Sequence, residues 1–150
     1  MIYILIAVGI FTLDFYIKRR IDKERKLGEE SGICKNRIIL RKYYNSGAML
    51  DFLGKWPRLV KILCGLVMIV LCGFFALLLR KKGNRGLKLG LAFIIGGGAS
   101  NLYDRFKTGH VVDYFSFRSR FSRLQRIIFN ISDLFIFLGT LLVLLFRDRE

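Results

Sequence analysis

Histidine is almost missing from this chain of 150 residues: His110 is the only one. With three cysteines beside it, a zinc site built from His and Cys has too few donors, and neither a metal nor another cofactor is expected. No serine follows the nucleophile-elbow pattern, and Ser100 or Ser132 with His110 would make a dyad that nothing in the sequence supports. The cysteines form no framework. Cys64 and Cys72 lie in one apolar stretch, where free thiols pack as small hydrophobes, and Cys34 stands alone in polar sequence. Acids are scarce too, 11 against 26 Lys and Arg, which leaves a formal charge of +15. No nucleic-acid motif accompanies this basic excess, and most aromatics fall in apolar segments. The expected partners are therefore anionic lipid headgroups, with no nucleic acid. Internal repeats and low-complexity tracts are absent.

What is present is apolar sequence gathered into blocks. A soluble domain would scatter its 53% hydrophobic residues along amphipathic elements. Here they concentrate at about 2–17, 59–79, 87–103 and 127–146, each close to the roughly 20 residues that cross a bilayer core. The reading is a single α-helical integral membrane domain over 1–150, with four transmembrane helices and a small β-sheet at the surface. The first block lacks a basic leading region and a small-residue cleavage site and contains Asp14, so it is expected to be an uncleaved anchor. A monomer is expected.

Four spans also sort the polar residues by side. The end of span one, the start of span two, the end of span three and the start of span four share one face. Asp14, Asn45, Asn101, Asp104, Arg105, Asp113, Asn130 and Asp133 all fall at or near those positions. Charge leaves the orientation open. The short basic link 80–86 favours a cytoplasmic place for the opposite face, yet most Lys and Arg lie in 18–58 and 104–126. Between spans one and two, the charged stretch 18–30 can extend the first helix. Residues 37–44 read as a strand, ended by the turn residues Asn45-Ser-Gly47. Residues 111–117 read as a second strand, with Asp113 presented from the edge of the sheet. The β region is expected at about 31–58 and 109–120.

Asp113 and Asp133 are the candidate catalytic pair. Ionisable groups at a bilayer margin are expensive and tend to be functional, and two carboxylates at one spot can share a proton and activate water. Taken singly, each has a plainer reading: Asp113 as an exposed strand residue, Asp133 as a helix-start residue satisfying backbone N–H groups. Asn101 and Asn130 read equally as helix caps or as amides that orient the pair. Asp104 with Arg105 reads as an interfacial ion pair, although the Arg105 guanidinium can also hold a peptide carbonyl or a headgroup. Gly96-Gly-Gly-Ala-Ser100 reads as close helix packing or as a place that admits a substrate helix.

Those residues resemble a known family. Gly97-Gly-Ala-Ser-Asn-Leu-Tyr-Asp-Arg105 and Gly109-His-Val-Val-Asp113-Tyr are similar to the G-x-x-x-N-L-x-D-R-x-x-x-G-x-V-x-D-F block of the lipoprotein signal peptidases (signal peptidase II). Phe129-Asn-Ile-Ser-Asp133 resembles F-N-x-A-D, Asn45-Ser-Gly-Ala48 resembles N-x-G-A, and Asp14 with Lys18 resembles D-Q-x-x-K. The resemblance implies a four-helix membrane aspartic protease that binds globomycin and cleaves the signal peptide just before a diacylglyceryl-modified cysteine. It implies that Asp113 and Asp133 are catalytic. It further implies that Asn45, Gly47, Gly97, Asn101, Arg105 and Asn130 bind substrate or support the pair, with Asp14 and Lys18 shaping the first helix end. It places the protein in the bacterial inner membrane with this face outside the cytoplasm, and lipid-modified prolipoproteins as its substrates. Departures from the pattern are Phe15 for glutamine, Ser100 where glycine often stands, Ser132 for alanine, Met49-Leu50 after the Gly-Ala pair, and Arg118-Ser-Arg120. They leave room for a divergent paralogue. A non-catalytic binder of lipidated peptides is the competing reading from another class, and a proton carrier using intramembrane acids is a third; proteolysis and proton flux separate them.

Overall fold

The apolar blocks form four helices, joined on one side by a small sheet. The computed structural model describes residues 1–47, 54–119, 125 and 127–147. Ala48, Met49-Leu50 and Arg120, named from the sequence, lie outside the described residues. The elements run α1 (Ile2–Glu24), β1 (Ser31–Ile33), β2 (Ile38–Asn45), α2 (Pro57–Leu79), α3 (Arg85–Lys107), β3 (Val111–Phe117) and α4 (Ile131–Phe146). The charged stretch after residue 17 does continue the first helix, as far as Glu24. Proline at the first turn starts α2, where its missing N–H costs nothing. The fourth apolar block becomes helical only at Ile131. The residues before it are extended: Phe129 bridges to Phe115, and its backbone exchanges hydrogen bonds with β3.

By length and composition, α2 is the one described helix able to cross a membrane, and α4 is apolar but only 16 residues long. Ile62, Leu66, Ile69 and Val70 on α2 are exposed, and a continuous face of this kind needs apolar surroundings. Cys72 lies exposed on that helix and Cys64 is half-buried, so neither packs in the core.

Helix α3 is the centre of the bundle and packs against α1, α2 and α4. Its small residues explain how. An added Cβ at Gly96 would lie 2.6 Å from the Ala7 carbonyl oxygen of α1, and one at Gly97 2.6 Å from the Ser132 carbonyl oxygen of α4. One at Gly98 would lie 2.8 Å from Met68 Sδ on α2. Three consecutive glycines therefore serve three neighbouring helices, because successive residues point about 100° apart around the axis. The structure thus gives the packing reading of the glycine run. Further along, Gly90 and Gly139 bring α3 and α4 into backbone contact, and Leu87, Leu91 and Ala92 close the apolar core with Ala7, Phe75 and Leu78.

The sheet is antiparallel in the order β1-β2-β3, so β3 lies at its edge as expected for the strand that carries Asp113. Tyr43 faces Asp113 and Asn45 faces Val111, but the register shifts between Leu40 and Tyr43. Such a bulge bends the strand and raises its twist locally.

Close approach of backbones leaves no room for a side chain, so Gly139→Ala should destabilise the bundle by about 1–3 kcal/mol. Gly73→Ala, on open space in α2, should be neutral or slightly stabilising. Thermal melts of the purified protein in detergent check this, and equal effects of the two substitutions would refute the packing account.

Candidate active site

The strand, the helix cap and the two inner helices bring the acids together. Alternation along β2 and β3 puts Asn45 and Asp113 on one face, diagonal to each other, and Asn45 Nδ2 donates to Asp113 Oδ2 at 3.0 Å. Pairing of Phe129 with β3 then delivers Asn130 beside Asp113, where Asn130 Nδ2 donates to Asp113 Oδ1 at 2.7 Å. Asn130 is also the N-cap of α4. Its Oδ1 accepts from the Asp133 backbone N–H, and its own N–H donates to Asp133 Oδ2, both at 3.0 Å. That reciprocal pair is a capping box. The plainer reading of Asp133 is therefore correct and does not compete with the functional one, since the same cap holds the carboxylate beside Asp113. The exposed-strand reading of Asp113 fails, because the residue is 2% exposed. The remaining oxygen, Asp133 Oδ1, accepts from Asn101 Nδ2 at 3.0 Å.

Each of the four carboxylate oxygens thus faces one amide or backbone N–H. The amides themselves cannot turn over. Asn45 Oδ1 accepts from the Gly47 N–H, Asn130 Oδ1 from the Asp133 N–H, and Asn101 Oδ1 from Lys18 Nζ at 2.7 Å. With every amide oxygen occupied, none of the three amides can accept a hydrogen bond from a protonated acid. Burial, and then the charge of Asp133, push the Asp113 carboxyl up from 3.8 to about 7; the Asn45 and Asn130 donors pull it partly back.

Below the pair lies a buried charge cluster. Lys18 Nζ contacts Asp14 Oδ2 at 2.7 Å and Asp104 Oδ2 at 2.9 Å, besides Asn101. The expected Asp104–Arg105 ion pair is not formed. Neighbouring helix residues point apart, so Asp104 turns to α1 while Arg105 Nη2 donates to the Gly47 carbonyl at 2.7 Å. Arg105 Nη1 also donates to the Asn101 carbonyl, and its buried Nε has no partner among the described residues. Gly97 touches the backbone of Ser132 and bears on the site by setting the distance between α3 and α4. His110 packs tilted against Tyr44, 4.1 Å between ring centres, and both serines bond Asp14.

Tyr114 joins the site without a motif to mark it. Its hydroxyl donates to Asp14 Oδ1 at 3.1 Å and accepts from the Ile131 N–H. Burial, with the negative charge of Asp14, pushes the phenol above its ordinary range and keeps it a donor. Strand alternation offered one signal: a tyrosine next to Asp113 must face the helices.

Asp113 and Asp133 open onto one cleft of about 600 Å³, whose other walls include Asn45, Asn101, Arg105 and the apolar Ile136 and Phe137. No group of acids, His and Cys able to hold a metal occurs among the described residues. Two acids above a largely apolar trough can activate water against an extended, apolar peptide.

The comparisons with known proteins agree with this chemistry. A family model described as signal peptidase (SPase) II matches residues 6–147. The lipoprotein signal peptidase of Clostridium tetani is 33% identical over 98% of this chain and 92% of its own length. That of Pseudomonas aeruginosa is 30% identical over 97% and 88%. A solved structure described as a bacterial membrane enzyme superposes with a TM-score of 0.81 at 23% identity, covering 95% of this chain and 85% of that one, which is a likeness of fold.

An acid whose folded-state value lies above its unfolded one binds its proton more tightly when folded. Asp113 therefore contributes stability fully below 3.8 and loses it as pH rises to about 7. Asp113→Asn removes this dependence, so its melting temperature in detergent should vary less than the parent's from about pH 4 to about pH 7. Parallel curves for the two proteins would contradict the burial of a neutral Asp113.

Proposed function

Because this chain belongs to the signal peptidase II family, its function is the removal of signal peptides from prolipoproteins by an aspartic protease, and we propose that Asp113 and Asp133 are the two acids that perform it. The observation that carries this is the shared anchor at Asn130, which donates to both carboxylates. The pair holds one proton. The N-terminus of α4 favours an anion on Asp133, and Asp113 keeps the proton. Ionised Asp133 takes a proton from water as the oxygen adds to the scissile carbonyl carbon, and Asp113 gives its proton to the carbonyl oxygen. When the adduct collapses, the C–N bond breaks, the leaving nitrogen takes the proton held by Asp133, and a hydroxyl proton of the adduct returns to Asp113. The unpartnered Nε of Arg105 and the Asn45 edge of the cleft support a role in holding the peptide. The apolar wall of α4 suits the signal helix and the diacylglyceryl group, with cleavage just before the modified cysteine.

In the same reading α1 to α4 are four membrane spans with both termini in the cytoplasm. The sheet and the cleft then face the outside of the bacterial inner membrane, against anionic headgroups. The exposed apolar face of α2 and the placement of every site residue at one end of the bundle favour this topology. A binder of lipidated peptides would not need two acids, one buried and one half-buried, locked by amides.

Asp113→Asn and Asp133→Asn should each lower cleavage of a lipid-modified precursor by about a thousandfold, with the protein still folded. The pH profile should fall above about 7, where Asp113 loses the shared proton, and again at acid pH, where the base takes one. Retained cleavage by either variant would end the proposal.

A further inference from the structure

Asp14 does not line the cleft. It is fully buried on α1, at 0% exposure, and yet five donors converge on its carboxylate. Oδ2 accepts from Ser100 Oγ at 2.6 Å, Ser132 Oγ at 2.7 Å and Lys18 Nζ at 2.7 Å. Oδ1 accepts from the Tyr114 hydroxyl and, more distantly, from the Ser132 backbone N–H. The hydroxyl donors have one thing in common. Ser100 precedes Asn101 on α3, Ser132 precedes Asp133 on α4, and Tyr114 follows Asp113 on β3. Each is the immediate neighbour of a dyad acid or of the amide that orients one. In a helix adjacent side chains diverge by about 100°, and in a strand they oppose, so the neighbour points inward when its partner points to the cleft. One carboxylate thereby grips, from below, the three elements whose outward residues make the site.

We infer that Ser100 and Ser132 are positioning residues for cleavage, a pair of buried hydroxyls that hold α3 and α4 on Asp14 and so set where Asn101 and Asp133 stand in the cleft. The inference rests on the dyad reading. A second effect runs through Lys18. Its ammonium has three protons for four acceptors: Asp14, Asp104 and Asn101 at 2.7–2.9 Å and Ser100 Oγ at 3.4 Å. With both hydroxyls gone, Asp14 has fewer donors to share its charge and draws the ammonium toward itself. Asn101 Oδ1 then loses the bond that keeps its Nδ2 on Asp133. The charged and titratable groups facing Asp14 are Lys18 on its own helix, Asp104 on α3, Tyr114 with Asp113 behind it on β3, and Asp133 on α4, so a change at Asp14 reaches the pair directly. The hydroxyls of the two serines meet on one oxygen, Asp14 Oδ2. They work as a unit in this chain.

The test compares the full-length protein in detergent with Ser100→Ala, Ser132→Ala and the double variant, on a diacylglyceryl-modified precursor, with melting curves run alongside. The double variant should lose about tenfold in kcat with KM within about twofold, since the substrate cleft is untouched while the acids are misplaced. The acid limb of its pH profile should move to higher pH, which a simple loss of folded protein would not produce. The combined effect should differ from the product of the single effects. Should the double variant not fold, the single variants are read for the same separation of kcat from KM and the same movement of the profile. Parent-like kcat and pH profile in folded variants overturn the assignment, as does a loss confined to KM. Asp113→Asn and Asp133→Asn run in the same assay separate the two proposals. If they cleave, the dyad fails and the positioning role with it; if they are inactive while the serine variants match the parent, only the positioning role fails.

Discussion

Lys18 is 2% exposed, and the rest of the site is arranged around that fact. A buried cation must be matched by anions and hydrogen-bond acceptors, or the cost of desolvation exceeds anything the fold returns. Asp14, four residues earlier on α1, supplies one anion and Asp104 on α3 a second. The third proton goes to Asn101 Oδ1. That last contact turns an electrostatic requirement into a directional one, because an amide with its oxygen fixed has its NH2 fixed too. Asn101 can present only donors to Asp133. Lys18 shapes the site without lining the cleft.

A second constraint is the start of α4. Helix ends leave backbone N–H groups without partners, and Asn130 with Asp133 solves this by mutual capping. The solution leaves one amide NH2 on Asn130 unused, and the bridge between Phe115 and Phe129 puts it against Asp113. Local helix chemistry and the geometry of the acid pair are thus the same set of bonds. The plainer and the functional readings of these residues describe one arrangement.

Much of this was legible in advance. The strand at 111–117, the one at 37–44, the extension of α1 and the convergence of eight polar residues on one face follow from periodicity and span order. Other features were not. Adjacency in the sequence suggests an Asp104–Arg105 pair, whereas helical geometry sends the two side chains to different neighbours. Composition suggests a helix from 127 in the fourth apolar block, yet the helix starts at Ile131 and Phe129 pairs with β3, since apolar composition does not distinguish an extended segment from a helix. The bulge between Leu40 and Tyr43 left no mark in composition. Tyr114 is not legible in the sequence because its contact is with a carboxylate 100 residues away.

The sequence by itself determined which residues are apolar, in what runs, and therefore which polar groups end up at one end of the bundle; that follows from lengths and periods along a single chain. It also carried the likeness by which the chain belongs to its family. Only the tertiary structure decided which partner each polar group takes. Three glycines in a row serve three different helices, an amide turns its oxygen to a lysine from another helix, and a carboxylate on α1 collects hydroxyls from α3, β3 and α4. Hydrogen bonds reach about 3 Å and are directional, so such choices exist only once distant segments are packed side by side.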